Sequence, residues 1–123
     1  MDMNRADWAI KTITSMKENA EIDIKKFAEK LLDDPFYQFT WADAAMEKAA
    51  IYKVARIVIK QYEKGISGMF EQELIINEIK NDLLQEIICK SNYPESSSSS
   101  SSNTMARYEL VAFTRIYNEL KRA

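Results

Sequence analysis

Only four residues punctuate this 123-residue chain strongly: Pro35, Gly65, Gly68 and Pro94. A protein of many short strands needs a turn about every 8–12 residues, and glycine and proline supply most such turns. The long stretches between these four residues are therefore expected to be helices. Hydrophobic residues make up 46% of the chain and charged residues 29%, a balance that can bury a core and is too apolar for disorder throughout. At this length one domain over residues 1–123 is expected.

The stretch from Thr40 to Lys64 sets the architecture. Ile51, Val54, Ala55, Val58 and Tyr62 recur at helical spacing, and Trp41, Tyr52, Ile57 and Ile59 widen this apolar seam beyond one face. A helix apolar over so much of its circumference is expected at the centre of a helical domain. Thr40 suits its N-cap, with Asp43 adding negative charge to the first turn. Gly65 suits the left-handed conformation that ends many helices, and Ser67 can cap the next one. So short a connection makes the following helix an antiparallel neighbour.

Three further segments carry the same periodicity. From Asn4 to Asp33 the face is Ile13, Met16, Ala20, Ile24, Phe27 and Leu31, ending at Asp33-Asp34-Pro35; the segment can be one helix or two, with a break near Asn19 favoured. From Met69 to Lys90 it is Ile76, Ile79, Leu83 and Ile87, broadened by Leu84 and Ile88. The run Ser96–Ser102 has no apolar group to bury, so 91–103 reads as a flexible Ser-rich linker. Beyond it, Ala106, Leu110, Phe113, Tyr117 and Leu120 mark a last helix capped by Asn103 or Thr104. The expected fold is an all-α bundle of four or five helices around a central helix at about 40–64. A linker of a dozen or so residues reaches ~35–40 Å, so the last helix can run either way along the bundle; packing within the same subunit is favoured over reaching another subunit to make a homo-oligomer.

Several function classes lose their chemistry here. The chain has no histidine, which removes the commonest general base, His-based metal sites and Ser-His or Cys-His dyads. Neither a Gly-rich phosphate loop nor a calcium loop is present, so no catalytic, cofactor-binding or metal-binding residue is assigned. Asp33 and Asp34 read as helix terminators, and Cys89, between Ile88 and Lys90, reads as a small packing residue. One cysteine cannot form an internal disulfide, and no Asn-x-Ser/Thr site exists, so a reducing, cytoplasmic setting is expected. Asp2, Arg5, Asp7 and Lys11 break up the first residues, against a signal peptide or membrane span. The net charge of −2 and pI near 5.3 argue against a general nucleic-acid or anionic-membrane binder.

Two groups remain as candidates. Phe36, Tyr37, Phe39 and Trp41 cluster at an inter-helix turn, with the composition of an interface anchor, although rings that close the end of the core are the favoured reading. Lys53, Arg56, Lys60 and Lys64 lie along one side of the central helix, where they could meet phosphates or an acidic partner. They also have an internal explanation. In an antiparallel hairpin folded about residues 66–67, Lys60 falls near Glu73, Arg56 near Glu78 and Lys53 near Asp82, pairs that would fix register. The expected function is a non-enzymatic protein-protein interaction module, such as a small adaptor, assembly factor or regulator. The alternative is a nucleic-acid-binding regulator using the basic stripe.

Overall fold

The computed structural model describes residues 5–34, 37–91 and 100–122, with side chains described over 5–34, 44–91 and 107–122. Four helices and no strand are found among them: α1 (Arg5–Asp33), α2 (Tyr37–Ser67), α3 (Gln72–Ser91) and α4 (Ser100–Lys121). They pack as a bundle in which each helix touches the other three. Of the Ser-rich linker expected over 91–103, residues 92–99 lie outside the described residues. Ser100, Ser101, Ser102 and Asn103 are the first residues of α4, so the helix starts ahead of the cap expected at Asn103 or Thr104.

Cross-links between side chains give the helix directions. The Tyr62 hydroxyl donates to Asp7 Oδ1 at 3.2 Å, and Lys48 Nζ lies 3.6 Å from Asp23 Oδ2, so α1 and α2 run antiparallel. Gln61 Nε2 donates to Asp82 Oδ2 at 2.8 Å, which sets α3 back along α2. Lys53 meets Glu109 at 3.0 Å and Glu47 meets Arg115 at 3.6 Å, so α4 also runs against α2. α1, α3 and α4 therefore share a direction, opposed by α2.

The expected seam of α2 is the buried one: Ile51, Val54, Ala55, Val58 and Tyr62 are all in the core. Around it lie Ile13 and Ala20 of α1, Ile76, Ile79 and Leu83 of α3, and Phe113, Ile116 and Leu120 of α4. Each fully buried aliphatic side chain stabilises the fold by about 1.5–3 kcal/mol. The extra width expected of α2 is not all used inside, because Ile57 is 46% exposed. α1 is one continuous helix of 29 residues without a break at Asn19, which is exposed and costs the helix only its modest propensity.

The α2–α3 connection differs from expectation. α2 begins at Tyr37, ahead of Thr40, and runs on through Gly65 to Ser67, so neither Thr40 nor Ser67 is an N-cap. Phe70 N–H donates to Gly65 O at 3.1 Å and Met69 N–H donates to Ile66 O at 3.0 Å. This pair of bonds is the Schellman closure of a helix, and its left-handed residue is Met69, with φ 63°. Gly65 serves another purpose: a Cβ there would lie 2.7 Å from Cγ1 and Cδ1 of the buried Ile75. Glycine lets α3 approach α2 closely at this level.

Two substitutions test this turn. Met69→Gly removes the side chain from a conformation that costs a non-glycine residue about 1–2 kcal/mol, offset by about 0.5–1 kcal/mol of extra chain entropy. A net gain of about 0.5–1 kcal/mol in urea unfolding is expected. Gly65→Ala would gain about 1 kcal/mol from helix propensity alone. Overpacking against Ile75 at about 1–3 kcal/mol should outweigh that gain, so a net loss is expected.

Candidate functional site

The outward side of α2 carries Lys53, Arg56, Lys60 and Lys64, all exposed. The internal explanation for this stripe does not hold. Asp82 accepts from Gln61 instead of meeting Lys53, and Lys53 reaches across to Glu109 of α4. Among the described residues no ion pair joins Arg56, Lys60 or Lys64 to a carboxylate. The expected pairing failed because α2 continues past Gly65, which moves the fold of the hairpin towards α3 and shifts every height match.

Lys53, at the N-terminal end of the stripe, belongs to a charge cluster. Glu109 accepts from Lys53 at 3.0 Å and from Lys90 at 3.1 Å, and Lys90 also lies 3.6 Å from Glu86. The Lys90 ammonium sits 5.5 Å from the centre of the Phe113 ring, within reach of a cation–π contact. Burial alone would raise the Glu109 carboxyl, but hydrogen bonds from Lys53 and Lys90 outweigh it and hold the group below the usual carboxylate range. Burial pushes Lys90 down, and Glu109 and then Glu86 more than reverse this, leaving its pKa raised. Both partners shift in the direction that favours the charged pair.

Beyond Lys53 the stripe is open. Tyr52, Lys53, Arg56, Ile57 and Lys60 line a shallow depression of about 560 Å³ on the outside of the bundle. Arg56 and Lys60 stand one helical turn apart, with the half-exposed Ile57 and Tyr52 beside them. Glu63, also exposed, introduces the opposite sign next to Lys64. The arrangement offers two or three unneutralised cations and an apolar contact, which suits carboxylates or phosphates on a surface that also has an apolar group to cover.

The aromatic group is only partly described. Phe36 lies outside the described residues, while Tyr37, Phe39 and Trp41 stand in the first turns of α2 with side chains outside them. Cys89 is exposed, a correction to the packing role expected of it, because its position on α3 faces away from Ile79 and Leu83. Among the described residues no group of three His, Cys, Asp or Glu side chains is placed to hold a metal ion. No helix there is long and apolar enough to cross a membrane. Glu109 was not singled out from sequence, because its partners lie on two other helices and depend on the direction of α4.

No protein-family model matches the chain, and neither does any curated protein or solved structure.

The Glu109 cluster makes stability pH-dependent. A carboxyl whose pKa is depressed by folding contributes stability fully above its unfolded value, and that contribution is lost as pH falls through the folded value. Wild type should therefore lose more stability than Glu109→Gln between neutral pH and the acid side of the ordinary Glu range. At neutral pH, Glu109→Gln should cost about 1–2 kcal/mol in urea unfolding, because hydrogen bonds to charged groups contribute on that order.

Proposed function

We propose that this protein is a non-enzymatic protein-protein interaction module that meets an acidic partner surface with the outward side of α2. The observation that carries the reading is the basic face itself: Arg56, Lys60 and Lys64 are exposed and take no carboxylate among the described residues, beside the half-exposed Ile57. Such a surface gives an acidic protein both charge complementarity and an apolar contact to desolvate. The absence of histidine from the whole sequence supports a role without acid–base or metal chemistry. The aromatic group Phe36, Tyr37, Phe39 and Trp41 is the second contact proposed, and Tyr37, Phe39 and Trp41 stand in the first turns of the same helix.

Nucleic-acid binding is the second reading, favoured by the spacing of the cations along one helix side. The net charge of −2 weighs against it, and so does the apolar Ile57 among the cations.

Affinity capture from the native proteome with the tagged 123-residue chain, at low and at high salt, tests these readings. Wild type and the double variant Arg56→Glu/Lys60→Glu should have the same thermal midpoint, since both positions are exposed. A partner rich in acidic residues should be captured by wild type, released by salt, and bound at least about tenfold more weakly by the double variant once purified. Equal binding by both proteins would remove the α2 face from the account. Salt-dependent binding of random duplex DNA by wild type, with no protein partner, would favour the nucleic-acid reading. Phe36→Ala and Tyr37→Ala are expected to weaken the same complex while leaving helical content unchanged.

A further inference from the structure

α3 carries a second line of contact residues, on the side away from the core. Its inward side is fully used, with Ile75, Ile76, Ile79 and Leu83 all buried. On the outward side, Leu74, Asn77, Asn81, Leu84 and Ile88 follow one another at intervals of three and four along the helix. Leu74 is 58% exposed, Leu84 38% and Ile88 46%, and both asparagines are exposed. Spacings that alternate between three and four define the seam by which one helix packs along another in a coiled coil. A single exposed leucine on a helix is ordinary, but a row of them at this spacing marks a contact surface.

The two asparagines in the middle of the row identify what covers it. An amide inside an otherwise apolar helix seam is costly unless it meets a group that both donates and accepts, and another asparagine does so. A lipid surface offers no such match at the centre of the row. A second copy of α3 does, in either orientation about a two-fold axis. Laid parallel, each residue meets itself. Laid antiparallel, Leu74 meets Leu84 of the second copy and Asn77 meets its Asn81, while Ile88 reaches the height of Phe70 just before the helix. The row reads the same from both ends, apolar against apolar and amide against amide, as an isologous contact requires.

We propose that the outward face of α3 is a self-association surface, closed by α3 of a second copy of this chain. It is separate from the basic face of α2, so the protein would carry its partner contact and its dimer contact on different helices.

The test is the solution mass of the full chain by light scattering after size exclusion, at high micromolar concentration. Wild type should give twice the 14.3 kDa chain mass. Leu74→Glu, Leu74→Lys and Leu84→Lys should each give the monomer mass with unchanged helical circular dichroism, since both positions are solvent-facing in the single chain. An equal mixture of Leu74→Glu with Leu84→Lys restores the dimer if the helices are antiparallel, and a mixture of Leu74→Glu with Leu74→Lys restores it if they are parallel. Arg56→Glu/Lys60→Glu should remain dimeric, so failure of the α2 reading and failure of this one are read separately. A monomeric wild type, or folded single variants that remain dimeric, would overturn the proposal.

Discussion

The Glu109 side chain is only 16% exposed yet stays ionised. A charge taken that far out of water has to be met by opposite charge and by hydrogen bonds, or it gives up its ionisation. Lys53 and Lys90 meet it from two other helices, so α4 is held at one height relative to both α2 and α3. The buried stripe Ala112, Phe113, Ile116 and Leu120 fixes which side of α4 faces the core. The cluster adds a constraint on height: a shift of α4 by one turn, ~5.4 Å, would separate the largely buried carboxylate from its donors.

This placement decides what the surface has left to offer. Pairing Lys53 with Glu109 leaves Arg56, Lys60 and Lys64 as the unpaired basic group on the outward side of α2 among the described residues. Turning Ile75, Ile76, Ile79 and Leu83 inward leaves Leu74, Leu84 and Ile88 on the far side of α3. One helix thus presents charge around a small apolar contact, and the other presents apolar residues around two amides. These surfaces suit different partners, which is why an acidic protein is proposed for the first and a second copy for the second.

The helices were legible in the sequence because periodicity survives without tertiary information: the α2 seam from Ile51 to Tyr62 is buried as its spacing requires. What the sequence could not convey depended on distances across the fold. Gly65 was expected to take the left-handed turn, the usual role of such a residue, but it is needed for the approach of Ile75, and Met69 takes the turn instead. That displacement upset the register expected between α2 and α3 and, with it, the internal explanation of the basic stripe. By periodicity Leu84 and Ile88 widen one apolar side of α3, yet they belong to the opposite face from Ile75 and Ile79. Periodicity shows that such residues lie on a helix surface but not which neighbour covers them. Glu109 was invisible for the same reason, since its role exists only once three helices are in place.

The direction and height of α4 against α2 is the claim on which the open basic face depends, and a pair of distances tests it most directly. Spin labels at positions 47 and 115, in one variant, should sit close together, because Glu47 and Arg115 are in contact. Labels at 64 and 115, in a second, should be far apart, because Lys64 lies about 25 Å further along α2 at a rise of ~1.5 Å per residue. Magnetically dilute samples, with labelled chains mixed into excess unlabelled protein, keep the distances within one chain. A short 47–115 distance and a long 64–115 distance is the expected result. The reverse order would place α4 parallel to α2, separate Glu109 from its two lysines, and contradict the account.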